Sequence, residues 1–164
     1  YKRQTYIREN NYEKAKNTAL RLQDLFGKDN FFLELQDHGI PDQTKVNTAL
    51  LKMSKETGID LVATNDIHYT FKEDAEAHDI LLCIQTGKKV QDEDRMRYEG
   101  GQYYLKSPEE MQRLFPYARE AIENTGKIAK RCNVEIVFGE QKVPEYDVPE
   151  GYTCLLYTSD AADE

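Results

Sequence analysis

Between residues 30 and 65 the apolar pattern runs at period two, then near 3.6, then as a short apolar run, and this order restricts the fold more than any other feature. Phe31, Leu33 and Leu35 face one way and Glu34, Gln36 and His38 the other, which is the alternation of a half-buried strand. After a turn from Gly39 to Pro41, Asp42 is placed to cap a helix with Val46, Leu50 and Met53 on its inner face, closed by Gly58. A second strand follows over 60–65. Strand, helix and strand within about thirty residues form a parallel crossover unit, so the expected fold class is α/β.

The flanking segments read as helices. Asn11 is a cap for a helix in which Tyr12, Ala15, Ala19, Leu22 and Phe26 share one face, with Gly27 as its stop. Thr70 and Glu73 have the spacing of a capping box before a helix with Ala77, Ile80, Leu81 and Ile84 turned inward and Gly87 as the stop. A polar stretch over 88–102 leads to Tyr103-Tyr104-Leu105, a short extended piece. Ser107-Pro108-Glu109-Glu110 is a strong helix start, and a last helix is expected over 117–131 through Ala121, Ile122, Thr125, Ile128 and Ala129. Residues 134–137 suit a strand, and Pro144 and Pro149 mark an extended linker.

With 164 residues, 39% of them hydrophobic and 32% charged, the chain has the composition of one ordinary globular core. No apolar run reaches membrane-spanning length and no signal peptide opens the chain, so a cytoplasmic protein without membrane contact is expected. A net charge of -8 repels a phosphate backbone wherever basic residues do not cluster. Cys83, Cys132 and Cys154 are odd in number and far apart, as reduced thiols are, and the first two fit buried positions of helices. Tyr1 is not a start methionine and opens a charged, helix-like segment, which suggests truncation. Residues 154–164 resemble a translated sequencing adapter and are set aside from fold reasoning.

The strand Leu61-Val62-Ala63-Thr64-Asn65 runs into Asp66-Ile67-His68. On an extended strand Asp66 and His68 share a face, roughly 7 Å apart at about 3.3 Å per residue. A single cation can bridge them, because metal bonds of about 2 Å reach inward from a carboxylate and an imidazole. In parallel β/α folds, ligands gather where the strands end, and Glu34, Gln36 and His38 stand at the neighbouring end. Asp-x-His alone is a weak pattern, and a polar strand face is as readily solvent-facing as catalytic. His78 is explained by a surface or helix-packing role. Lys88, Lys89, Arg95 and Arg97 beside Tyr98, Tyr103 and Tyr104 suit phosphate contacts and base stacking, but the interleaved Asp92, Glu93, Asp94 and Glu99 favour a solvated loop. No phosphate-binding loop, dinucleotide fingerprint, cysteine-pair zinc ribbon or serine nucleophile elbow is present.

Taken together, the segments 30–39, 61–69 and 73–87, then Tyr103-Tyr104-Leu105-Lys106-Ser107-Pro108-Glu109-Glu110-Met111 and Asn124-Thr125, resemble the bacterial DNA polymerase III alpha-subunit family of replicative polymerases. The resemblance runs from residue 1 to about 153. It implies a fragment of a distorted β/α barrel of the polymerase and histidinol phosphatase (PHP) type, followed by helices leading toward the polymerase palm. Residues 1–87 would be the C-terminal part of the PHP domain, 88–135 its end and a helical connection, and 136–153 a linker. Asp66 and His68 then inherit the last ligand pair of a multinuclear metal cluster, whose other ligands lie upstream of Tyr1.

The resemblance further implies a divalent metal, Zn or Mn, at the PHP site, and a 3′-5′ exonuclease activity there. His38, Glu34 and Gln36 become candidates for supporting the ligands or touching substrate. The parent polymerase would use Mg, DNA and deoxynucleoside triphosphates, and would join other replicase subunits such as the sliding clamp. Its catalytic carboxylates are expected downstream of this chain, so none of the present residues is assigned to polymerisation. A stand-alone PHP phosphoesterase and a PHP domain kept purely as scaffold are the competing readings.

Overall fold

The computed structural model describes residues 2–139, without the side chains of residues 2–4. The linker beyond residue 139 and the adapter-like residues 154–164 lie outside the described residues. The chain divides into two units, residues 1–132 and residues 133–164. In the described part of the second unit, 134–137 forms no strand, since strand pairing needs a partner ladder and none is present there.

The first unit is built on two short parallel strands, β1 (Leu33–Leu35) and β2 (Leu61–Ala63), in the register Leu33 to Leu61, Glu34 to Val62 and Leu35 to Ala63. Helices α1 (Lys2–Arg8) and α2 (Tyr12–Phe26) precede β1, and α3 (Pro41–Thr57) connects the strands. After β2 come α4 (Ala75–Thr86), α5 (Pro108–Leu114) and α6 (Arg119–Arg131). This is a helix-rich α/β arrangement with the expected parallel crossover.

The core lies between the strands and helices α1, α2, α3 and α6. Leu33, Leu35, Met53, Ile59 and Phe115 are its largest fully buried side chains, joined by Ala15, Ala19, Val46, Leu50 and Ala121. Each large side chain contributes roughly 1.5–3 kcal/mol by leaving water. Two buried asparagines tie the helices to the strands: Asn124 Nδ2 donates to the Leu61 carbonyl at 2.8 Å, and Asn47 Nδ2 to the Gln36 carbonyl at 2.9 Å. Short strands leave backbone acceptors without a ladder partner, and these amides satisfy two of them.

Several ends follow the expected chemistry. Asn11 Oδ1 accepts the Lys14 amide at 3.2 Å, and Gly58 takes the left-handed conformation (φ 70°) that closes α3. At α5, Ser107 Oγ accepts the Glu110 amide at 3.2 Å while Glu110 Oε2 accepts the Ser107 amide at 2.8 Å, a reciprocal capping box.

Others differ, each for a local reason. Pro41, with its φ already helical and no N–H to satisfy, starts α3 two residues early. Asp42 therefore sits inside the first turn, where it pairs with Arg8 at 2.9 Å instead of capping. Before α4 it is Asp74, not the pair Thr70 and Glu73, whose carboxylate takes a free amide, that of Phe71 at 2.9 Å. Phe26 lies outside the buried face of α2, and Cys132 is exposed because α6 ends at Arg131, whereas Cys83 is buried.

The largest departure is the rotation of α4. Leu81 and Ile84, expected inside, are 61% and 73% exposed, while Leu82 and Cys83 are buried. The run Ile80-Leu81-Leu82-Cys83-Ile84 is apolar on every side, so its periodicity does not select a face. The bidentate pair between Asp79 and Arg95, 2.6 Å on each oxygen, holds the other side of the helix inward.

Candidate functional site

Polar residues collect where β1 and β2 end. The Thr64 amide donates to the Leu35 carbonyl at 3.0 Å, extending the ladder by one step. That step places Glu34, Gln36 and Thr64 on one face: Gln36 Nε2 donates to Thr64 Oγ1 at 3.3 Å, and Thr64 Oγ1 donates to Glu34 Oε1 at 2.6 Å. Glu34 and Gln36 thus brace the residue two positions before Asp66.

His38 is buried and its bonds define its tautomer. The side-chain oxygen Oε1 of Gln43 accepts the His38 backbone amide at 2.7 Å, so the Gln43 side-chain nitrogen Nε2 faces His38 Nδ1 at 2.8 Å and donates to it. Nε2 therefore carries the ring proton and donates to the Asn65 carbonyl at 2.7 Å. Tyr103 stacks on the imidazole with ring centroids 4.1 Å apart. His38 holds the backbone next to Asp66 from behind. A cavity of about 310 Å³ nearby is lined by Gln36, Gln43 and Asn47 among others, but not by Asp66 or His68.

The Asp-x-His motif is not on a strand. β2 stops at Ala63, and Asp66 takes a left-handed backbone conformation (φ 48°) that breaks the two-residue alternation. The turn nevertheless brings the two side chains together, with Asp66 Oδ1 3.5 Å from His68 Nε2. Their side chains are 48% and 29% exposed, open enough to meet a ligand. The His68 amide donates to the Tyr103 carbonyl at 2.8 Å, and Tyr69 and Tyr104 form a parallel bridge, so 103–105 runs alongside the turn as its second wall.

Among the described residues, three rings surround His68: Tyr98 at 4.4 Å between centroids, His78 at 5.4 Å and Tyr103 at 5.6 Å. Burial, and then the neighbouring His68, push the His78 imidazole below its ordinary pKa. Burial first, and the Asp66 charge second, raise that of Tyr103. Tyr98 comes from the stretch expected to be a solvated loop. That loop is instead fastened to α4 by Arg95, whose side chain is only 3% exposed and whose guanidinium holds the Asp79 carboxyl below its usual pKa.

A carboxylate oxygen and an imidazole nitrogen are the donor types Zn and Mn accept. With bonds of about 2.0–2.2 Å, donors this far apart subtend roughly the tetrahedral angle, so the pair fits one half of a metal site. Among the described residues, no group of three or more His, Cys, Asp or Glu is placed to hold an ion. Asn65, Tyr98, Tyr103, His78 and Lys106 all help build the site, yet only nonlocal packing unites them. Lys106 in particular stands beside a helix start and reads in sequence as a surface cation.

No family model matches the chain. Curated relatives do. A DNA polymerase III subunit alpha of Campylobacter jejuni subsp. jejuni is 46% identical over 141 residues, 86% of this chain. Another of Borreliella burgdorferi is 47% identical over 150 residues, 91% of the chain, and one of Deinococcus radiodurans is 42% identical over 154 residues, 90% of the chain.

The chain belongs to the DNA polymerase III alpha-subunit family. It spans about an eighth of these relatives, 12% of the first and 13% of the second. Matches of this length necessarily span the Asp-x-His turn and the segments around it. Among the described residues of this polymerase III alpha segment, no helix is long and apolar enough to cross a membrane.

Proposed function

We propose that the chain is a segment of the catalytic alpha subunit of a replicative DNA polymerase, and that Asp66 and His68 are a metal-binding pair of its PHP domain. The observation that carries the metal reading is the 3.5 Å approach of Asp66 Oδ1 to His68 Nε2 at the carboxyl end of two parallel strands. Residues 1–87 would belong to a PHP-type β/α barrel, 88–135 to its end and a helical connection, and the rest to the path toward the palm. The parent protein would copy DNA from deoxynucleoside triphosphates with Mg at downstream carboxylates, in the cytoplasm and alongside replicase partners such as the sliding clamp.

Zn or Mn held at the pair would supply hydroxide near neutral pH and stabilise charge on an attacked phosphodiester, the chemistry of a 3′-5′ exonuclease. Asp66 contributes a carboxylate oxygen and His68 an imidazole nitrogen. His38, Glu34 and Gln36 hold the turn from behind through Asn65 and Thr64. Tyr98, Tyr103 and His78 crowd the His68 ring and restrict its rotation. Two donors do not complete a multinuclear site, so the segment alone is expected to lack efficient hydrolysis. A stand-alone phosphoesterase is disfavoured, since the similarity to polymerase subunits covers most of the chain, beyond the Asp-x-His turn.

The test uses the chain joined to its flanking polymerase sequence and loaded with Zn or Mn, with Asp66→Ala and His68→Ala compared. Metal content and 3′ end removal should fall together while primer extension continues. If end removal persists unchanged as the metal falls, the catalytic reading is wrong and a scaffold role stands.

A further inference from the structure

A non-glycine residue stays in the left-handed region only where its surroundings over-determine it. Asp66 does so at φ 48°, and its restraints act mainly on the residue before it. Every polar group of the Asn65 carbonyl and side chain is engaged. Its carbonyl accepts from His38 Nε2 at 2.7 Å, its Nδ2 donates to the Tyr104 carbonyl at 2.6 Å, and its Oδ1 accepts from Lys106 Nζ at 3.1 Å.

Lys106 is 8% exposed, and among the described residues no carboxylate lies within ion-pairing distance of it. Its ammonium also donates to the Gln102 carbonyl and sits 4.2 Å from the centre of the Tyr104 ring. Burial accordingly lowers its pKa. A cation here is costly to desolvate, and an apolar side chain of similar length would fill the space at less cost. What distinguishes the lysine is the pair of groups it joins. Asn65 precedes Asp66, and Gln102 precedes Tyr103, whose carbonyl receives the His68 amide. One ammonium therefore links the backbone anchor of Asp66 to that of His68.

We propose that Lys106 is a positioning residue for the Asp66–His68 pair, acting through Asn65 and Gln102 to hold the turn that brings carboxylate and imidazole together. Its functional meaning rests on the reading of that pair as metal ligands; its mechanical meaning does not. Residues that orient ligands typically change metal affinity about 10- to 100-fold when replaced.

The test compares Lys106→Met, Asn65→Ala and the double variant in the 164-residue chain, reading amide hydrogen exchange residue by residue and binding of Zn²⁺ alone. Lys106→Met should speed exchange at His68 and Tyr69 about tenfold, leave the buried Met53 amide unchanged, and weaken Zn²⁺ binding by at least about tenfold. In the Asn65→Ala background the same replacement should add less than about twofold, because the two residues act as a unit. Unchanged exchange at His68, or a full tenfold effect persisting without Asn65, overturns the proposal. Should Lys106→Met unfold the chain, Lys106→Gln gives the same comparison with a hydrogen-bonding group retained. If Asp66→Ala and His68→Ala leave Zn²⁺ binding untouched, the metal reading fails, and hydrogen exchange still decides the role of Lys106.

Discussion

Leu33, Leu35, Met53, Ile59 and Phe115 meet around the strands through apolar contact alone, whereas His38, Asn65 and Lys106, also buried, meet at the strand ends through hydrogen bonds. Apolar contact is non-directional, so the first region depends on volume and tolerates exchange among similar side chains. Hydrogen bonds are directional, and a buried group that loses its partner costs more than the bond was worth. The core therefore supplies most of the stability, and the turn supplies a single geometry. The left-handed Asp66 and the buried Lys106, which has no ion-pair partner among the described residues, belong to the second region, where local cost accompanies a defined arrangement of polar groups.

The largest effect should come from the core. Phe115→Ala should cost about 3–5 kcal/mol in urea unfolding, because a fully buried ring leaves a cavity that the helices fill only in part. A loss below about 1 kcal/mol would mean the core is far looser than described.

At the turn, His38→Phe keeps an aromatic ring on Tyr103 but leaves the Asn65 carbonyl and the Gln43 amide without their partner. We expect a stability loss of about 1–3 kcal/mol, smaller than in the core, with a larger proportional loss of Zn²⁺ or Mn²⁺ affinity. Equal losses in stability and affinity would erase the distinction between the regions.

The backbone of the turn separates more finely. Asp66→Ala and Asp66→Gly both remove the carboxylate and should lower metal affinity alike. The alanine variant should be less stable than the glycine variant by about 1 kcal/mol, since a Cβ is disfavoured in the left-handed region. Identical unfolding midpoints would show that the turn rearranges once the carboxylate is gone.

The smallest effect concerns the loop fastened by Arg95. The guanidinium lowers the native Asp79 pKa below its ordinary value of about 3.9, so the stabilisation is complete above that pH. It is lost as the pH falls through the native pKa, where the folded chain also takes up the proton. Asp79→Asn should therefore be less stable than the parent at pH 7, and the difference in urea midpoint should narrow as the pH falls below the ordinary carboxylate range. A difference that persists in acid would assign the effect to packing instead of charge.

Much of the fold was readable because it repeats locally. Asn11, Gly58 and the Ser107–Glu110 box act within a few residues of themselves, and the period-two and period-3.6 runs name β1, β2, α2 and α3 directly. The rotation of α4 was not readable, since its apolar run has no polar stripe to orient it and the deciding bond comes from Arg95. The site was half legible. Asp66, His68 and the polar end of β1 stand out by spacing, but Tyr98, Tyr103, His78 and Lys106 carry no local pattern. The pair was read on a strand, where the chain instead makes a turn.

The sequence by itself determined the crossover unit and the helix ends set by Asn11, Gly58 and the Ser107–Glu110 box, and it singled out Asp66 and His68 as candidates, because periodicity and capping depend on neighbours a few residues apart. Only the tertiary structure decided how close that pair stands, which face α4 buries and what Lys106 does. Those outcomes depend on groups from distant segments satisfying one another once water is excluded, and no short window of sequence contains both partners.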